Sequence, residues 1–210
     1  MTHHLVAAGS NLTVNVGGLK SPSTSVLIII VLTVLSVAPA VLMLMTSFPR
    51  ILIVLSLTRN ALGTQTVPPN QVLAGLALIL SLFIMSPVLS TMYHDAVLPY
   101  EHGSMTAVQA ISAGEVPLKS WMLKQTKKED LSLFTSYSKE NARYPQKLPL
   151  TTIIPAFVLS EFETAFLIGF MIFIPFMIID LVVSAVMMSM GMYMLPPTLI
   201  SLPFKILLFV

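Results

Sequence analysis

The stretch VLIIIVLTVLSVAPAVLMLMTSFP, residues 26–49, runs for 24 positions without a charged side chain. As an α-helix it covers about 36 Å at 1.5 Å per residue, enough to cross a hydrocarbon core of about 30 Å. In an apolar solvent a helix satisfies every backbone donor and acceptor within one segment, so the reading of this stretch sets the fold class as all-α. Pro39 lies inside the run and predicts a kink there, with the freed carbonyl taken up by a neighbouring helix or side chain.

Toward the C-terminus the run continues past Arg50 as ILIVLSLTRNALG, residues 51–63. The first helix is therefore expected to exceed one membrane thickness, and Arg50 has to reach an interface or a protein partner. Gly63 and the pair Pro68 and Pro69 stop it, because proline donates no hydrogen bond and restricts the residue before it. Asn70 is placed to N-cap the next helix. Residues 71–93 form a second charge-free stretch, of 23 residues, and the two predict a helical hairpin over 26–94. Toward the N-terminus, residues 1–25 are polar and rich in Gly, Ser and Asn, without the basic start and apolar core of a cleavable leader. They read as a mobile extension.

Charge is distributed very unevenly. Residues 95–147 hold 13 of the 20 charged side chains, six acidic and seven basic, and read as a small polar region outside the membrane. Trp121, Leu123, Leu131, Leu133 and Phe134 are its expected apolar anchors. WMLKQTKKEDLSLF, residues 121–134, has mixed charges and neither Pro nor Gly, which predicts one helix with a solvated face. A second apolar block occupies 148–210, interrupted by Glu161, Glu163, Asp180 and Lys205. Residues 164–179 are short for a span, and Gly191, Pro196, Pro197 and Pro203 interrupt the remainder. Two shorter helices joined by a Met-rich turn are expected, giving a second hairpin.

Composition agrees with this division. The chain is 55% apolar and 10% charged, with a mean hydropathy of +0.88, whereas soluble domains carry about 25% charged residues. A net charge of +2 gives no reason to expect nucleic-acid binding. The absence of cysteine removes disulfides, thiolate metal sites and Cys nucleophiles. His3, His4, His94 and His102 are too dispersed for a convincing metal set. No Gly-x-Ser-x-Gly turn and no phosphate-cradling glycine loop occurs, so neither catalysis nor a cofactor is expected.

Two constellations remain. Charges inside apolar helices cost about 2.5–3.5 kcal/mol each on insertion scales, so Glu161, Glu163 and Asp180 demand partners. One reading is a proton or ion relay, which would make the chain a small ion-coupled transporter using Glu161 and Asp180. The other is that these acids pair with Arg50, Arg59 or Lys205, on the same chain or a neighbouring one, and fix how helices dock. Residues 161 and 163 point about 200° apart on a helix and are not expected to share a site. The second constellation is Met187, Met188, Met190, Met192 and Met194. From 188 onward they alternate, which puts them on one side of an extended loop that turns at Gly191. Methionine is unbranched and polarizable, so a ring of such loops forms a soft apolar plug. A Met-rich stretch of helix core is the plain alternative.

Residues 45–87, MTSFPRILIVLSLTRNALGTQTVPPNQVLAGLALILSLFIMSP, and 154–205, IPAFVLSEFETAFLIGFMIFIPFMIIDLVVSAVMMSMGMYMLPPTLISLPFK, together resemble the FliP family of flagellar type III export-gate proteins. RNALG at 59–63, PPNQ at 68–71 and LPFK at 202–205 occur in the family's order, and LKSWMLKQTKKEDLSLF at 118–134 matches more loosely. The injectisome SctR proteins share much of the pattern, and Asn70-Gln71 favours the flagellar branch.

The resemblance implies a bacterial inner-membrane protein of the flagellar basal body, in which several copies assemble with FliQ-like and FliR-like subunits around a pore for unfolded exported proteins, beside an FlhB-like subunit. It implies a complex lifted largely to the periplasmic side, and a gasket role for Met187, Met188, Met190, Met192 and Met194. Three departures accompany it. Glu163 stands where the family commonly has a basic residue, no cleaved leader is evident, and the chain ends at Val210 where relatives continue, so the last helix is expected to be incomplete.

Overall fold

The computed structural model describes residues 24–64, 66–140, 144–192 and 194–210. Among them every regular element is helical: α1 Thr24–Met45, α2 Phe48–Ala61, α3 Asn70–Met92, α4 Leu98–Glu101, α5 Ala107–Gln125, α6 Lys128–Ser138, α7 Leu150–Ser189 and α8 Pro197–Phe209. The expected mobile extension at 1–25 falls, apart from the first two residues of α1, outside the described residues.

The first apolar run is two helices rather than one. The interruption falls at Thr46 and Ser47, not at Pro39, which lies within α1. Pro49 has no N–H to give the carbonyl of Met45, and its ring crowds that carbonyl, so α1 ends at Met45 and α2 restarts at Phe48. The break is held from outside: Ser47 is buried and its hydroxyl donates to Ser81 Oγ on α3 at 3.4 Å.

The second arm extends further than the charge pattern suggests. α3 continues through a π-helical turn, Tyr93–Val97, into α4, so that Asn70–Glu101 forms one 32-residue apolar helix. The wide turn comes just before Pro99, whose ring would meet the carbonyl of Asp95 in an uninterrupted α-helix.

The segment 121–134 is not a single helix. α5, started by a capping box between Thr106 and Gln109, stops at Gln125, and Thr126 and Lys127 are extended. The break is stabilised by α7: the Lys127 N–H donates to Ser160 Oγ at 3.0 Å, and the Ser160 hydroxyl in turn donates to Asp130 in the first turn of α6. Met122, Leu148, Ile153 and Phe157 form the buried core of this region, with Trp121, Leu123 and Leu131 packed against it. The Trp121 and Phe157 rings lie 5.3 Å apart. Of the other expected anchors, Leu133 is exposed and Phe134 is only partly buried.

The second apolar block forms the expected hairpin of two helices about a Met-bearing turn, but its first arm is one continuous 40-residue helix and not a short one. α7 passes through Glu161, Glu163 and Asp180 and through Pro155 and Pro175. Glutamate is a good helix former, and in apolar surroundings a broken ladder would leave several backbone groups unpaired. Among the described residues the helix stops at Ser189, Gly191 turns the chain, and Pro197 opens α8. α7 is the spine of the molecule: α2 lies along it more extensively than any other pair of elements, and α5, α6 and α8 also pack on it.

Candidate functional site

Three ion pairs tie α2, the α5–α6 turn and α8 to α7. In the first, the fully buried carboxylate of Glu161 meets the guanidinium of Arg50 at the start of α2. Arg50 also approaches Gln125 Oε1, at 3.4 Å, at the end of α5. The second oxygen of Glu161 and Nε of Arg50 are buried without a hydrogen-bond partner.

In the second contact, Glu163 pairs with Lys127 at 2.7 Å, and both side chains are substantially exposed. Glu163 therefore meets a cation from the turn between α5 and α6, and neither Arg50, Arg59 nor Lys205. The two glutamates diverge around the helix, one inward and one outward, as their 200° separation requires.

In the third contact, Lys205 of α8 is 2% exposed. Its ammonium donates to Asp180 Oδ2 at 2.7 Å and to the carbonyl of Ala61, the last residue of α2, at 3.0 Å. Ser201 donates to the other Asp180 oxygen at 2.5 Å. The terminal carbonyls of a helix lack intrahelical partners and carry partial negative charge, so one cation neutralises a carboxylate and caps α2 together. Glu161 and Asp180 are 19 residues apart on α7, about 28 Å. Each has its own cation, and they do not form a common relay site.

Arg59 pairs with no acid among the described residues. Its Nη1 donates to the carbonyl of Pro68 at 3.1 Å and to Asn70 Oδ1 at 2.7 Å, clamping the turn between α2 and α3. This corrects the role expected of Asn70: Pro69 occupies the N-cap position without a side-chain cap, and the Asn70 carbonyl oxygen is already engaged by Arg59. Gly63, at φ +81°, supplies the left-handed residue that ends α2.

The methionines divide between helix and turn. Met187 and Met188 lie in α7, Met190 is its C-cap, and Gly191, at φ +76°, turns the chain toward α8. The alternation is therefore not that of an extended loop from 188 onward, because the α7 ladder persists to the edge of the glycine. Met187 is 5% exposed and faces α8. Met188, Met190, Met192 and Met194 are open to the surroundings, Met194 almost completely at 98%. Met187, Met190 and Met192 border an apolar groove between α7 and α8 that Val182, Ile200 and Phe204 also line.

The sequence did not single out Lys127, Asp130, Ser160, Ser201 or the close approach at Gly169, where a Cβ would lie 3.0 Å from the Cβ of Leu57. Hydroxyls at 160 and 201 inside apolar runs are the signal that would have found two of them. Among the described residues no group of His, Asp and Glu has the arrangement to hold a metal ion, and His3 and His4 lie outside them.

Residues 31–210 match the FliP family profile. The flagellar biosynthetic protein FliP of Bacillus subtilis is 54% identical over 192 residues, covering 91% of this chain and 87% of its own length. That of Pectobacterium carotovorum is 52% identical over 194 residues, covering 92% and 75%. That of Aquifex aeolicus is 46% identical over 189 residues, covering 89% and 79%. With most of both sequences aligned at these identities, and with apolar helices long enough to cross a membrane, the chain belongs to the FliP family of flagellar biosynthetic membrane proteins.

Proposed function

We propose that this chain is a pore-forming subunit of the flagellar type III protein export gate, passing unfolded flagellar proteins across the bacterial inner membrane. In this reading several copies assemble with FliQ-like and FliR-like subunits, an FlhB-like subunit docks on the assembly, and most of the complex stands on the periplasmic side. No chemistry of its own is required.

Two features support oligomerisation. Each acid of α7 has a cation within the chain, so the larger demand for a neighbour comes from apolar surface. Phe166, Leu167, Phe170, Met171, Leu181 and Val186 along α7 are all exposed, and large exposed apolar patches mark interaction surfaces. A helix of 40 residues is about 60 Å long. Fitting it within a bilayer core of about 30 Å needs a tilt near 60°, outside the usual 0–40°, which favours protein as its cover over at least part of its length.

The observation that carries the gate reading is the exposure of Met188, Met190, Met192 and Met194 around a single tight turn. Repeated about a common axis, such turns present flexible sulfur-bearing side chains that repack around a passing chain and close behind it. The test is to replace these four residues with alanine in the assembled complex and measure ion conductance across the inner membrane. The expected result is a leak with complex assembly preserved. Conductance equal to that of the unaltered protein, in a complex of normal size, overturns the gasket role. Met187 serves as the contrast, since its truncation loosens the α7–α8 packing and acts on folding.

A further inference from the structure

We propose that the Met-bearing turn between α7 and α8 is an oxidation-sensitive site. Oxidants of the hypohalous acid class convert its exposed thioethers to sulfoxides, which loosens the seal until a methionine sulfoxide reductase reverses the change. The inference rests on the export-gate reading for what the turn closes, and on the chemistry of the turn itself for the modification.

Access comes first, because methionine is oxidised where a water-borne oxidant reaches its sulfur. Met187 is packed between α7 and α8, whereas Met188, Met190, Met192 and Met194 are exposed, the last almost wholly. Four accessible thioethers therefore lie within seven residues. The other exposed methionines are scattered: Met43 lies in α1, and Met171 and Met177 lie in α7, all within apolar stretches of helix. Met85 and Met122 are buried. A passage for unfolded proteins has water on either side of its seal, so of all these positions the turn is the one that meets dissolved oxidant.

The step is balanced without a cofactor. A lone pair of the sulfur becomes a new S–O bond, the O–Cl bond of hypochlorous acid breaks, and chloride and a proton leave to water. Sulfur is oxidised by two electrons and chlorine reduced by the same two. In the reverse step two thiols become a disulfide and the sulfoxide oxygen leaves as water.

The surroundings of the turn turn this small change into a large one. Every side chain lining the groove that Met187, Met190 and Met192 border is hydrocarbon or thioether. The peptide N–H groups of Met190, Gly191 and Met192 are already given to the carbonyls of residues 186–188. The Ser189 hydroxyl donates to Val186, and the Lys205 ammonium is held by Asp180 and the Ala61 carbonyl. A sulfoxide oxygen is a strong acceptor, and an acceptor without a donor is unfavourable in apolar surroundings, so its ready partner is water. Oxidation thus exchanges a soft apolar surface for a hydrated one, and a hydrated constriction conducts ions. Leucine, isoleucine or phenylalanine at these positions would seal as well by apolarity and could not be switched in this way.

The test uses the full chain in its complex, reconstituted into phosphatidylethanolamine and phosphatidylglycerol vesicles and titrated with hypochlorous acid. Peptide mass spectrometry gives the order of oxidation, and ion flux gives the state of the seal. The expected result is sulfoxide at 188, 190, 192 and 194 before 187 and 122, with flux rising several-fold in a complex of normal size. Treatment with both epimer-specific methionine sulfoxide reductases and dithiothreitol should return the flux to its starting value. In a variant carrying Met188→Leu, Met190→Leu, Met192→Leu and Met194→Leu, hypochlorous acid should add nothing to whatever flux the variant begins with. Met192→Leu with Met194→Leu replaces it if the fourfold variant does not assemble, and should lose a substantial part of the response. Oxidation of Met187 or Met122 ahead of the turn overturns the proposal, as does unchanged flux with the four sulfoxides formed. An undiminished response in the leucine variants also overturns it, because the sensitive group then lies elsewhere. The alanine variant of the same four residues separates this failure from that of the gate reading: a leak from alanine without a leak from oxidation sinks only the switch, and no leak from either sinks both.

Discussion

Residues 150–169 and 170–189 of α7 are two equal lengths of one apolar helix, each with a single proline, Pro155 and Pro175, the first with two acidic side chains and the second with one. Eight residues of the first length are buried, among them Ile153, Phe157, Ser160 and Glu161, against only Phe176 and Met187 in the second. The cause is what the rest of the chain provides. The first length receives the Trp121–Phe157 contact, the Asp130–Ser160–Lys127 bonds and Arg50, while the second is tied through Asp180 to Lys205 and Ser201 of α8. Hydropathy alone does not tell a helix that has found its core from one that waits for a partner. The first length is a folded body, and the second is surface prepared for assembly.

The strongest test of this division is Arg50→Leu. It leaves the carboxylate of Glu161 fully buried with no cation, a change that costs about 3–5 kcal/mol for a buried pair and approaches the whole stability of a small domain. The expected outcome is loss of the protein from membranes and, where it can be recovered, a large shift in its denaturation followed by Trp121 fluorescence. Arg50→Leu combined with Glu161→Leu should recover much of that loss, because no unpaired charge remains. An Arg50→Leu protein as abundant and stable as the original would mean that the first length is not the folded body.

Gly169 marks the boundary between the two lengths and gives a smaller effect. Its missing side chain lets α2 approach, and a Cβ there would lie 3.0 Å from that of Leu57. Gly169→Ala should therefore cost about 1–3 kcal/mol by overpacking, even though alanine is the better helix former. Leu57→Ala in the same protein should relieve part of the cost, and a double-mutant cycle measures the coupling. Additive effects would place the close approach outside the packed interface.

Much of the architecture is legible in the sequence because it derives from local chemistry. The helical class comes from long charge-free runs, the α2–α3 turn from Gly63, Pro68 and Pro69, and the α7–α8 turn from Gly191 with Pro196 and Pro197. The misreadings share one physical origin, in that tertiary contacts outweigh local signals. Charge at 161, 163 and 180 suggests helix ends, but lateral pairing lets α7 run through them. The break at 126 and 127 has no Pro or Gly to announce it and is held by Ser160, 33 residues away. Proline at 39 and at 49 looks alike in one dimension, and only the second sits where Ser47 finds Ser81 across the bundle. Of the candidate residues, the acids and most of their cations are visible as charges in apolar surroundings. The choice of Lys127 for Glu163 is not, because it depends on a turn that the sequence reads as helix.

That pair offers the smallest effect and the sharpest limit on the comparison. Lys127 and Glu163 join the α5–α6 turn to the first length of α7 at 2.7 Å, as close as the Lys205–Asp180 pair. Both side chains remain substantially exposed, and exposed ion pairs contribute about 0–1 kcal/mol because water screens them and two long side chains lose freedom. The backbone of Lys127 is held independently by Ser160, so removing its ammonium leaves the turn in place. Glu163→Ala and Lys127→Ala should each shift denaturation by less than about 1 kcal/mol, with the effect shrinking as salt is raised. The reversed pair, Lys127→Glu with Glu163→Lys, should be close to the original in stability. A loss from either alanine variant as large as that from Arg50→Leu would show that the body on α7 depends on its rim as much as on its buried core, and the contrast between the two lengths of the helix would then need to be redrawn around charge, not burial.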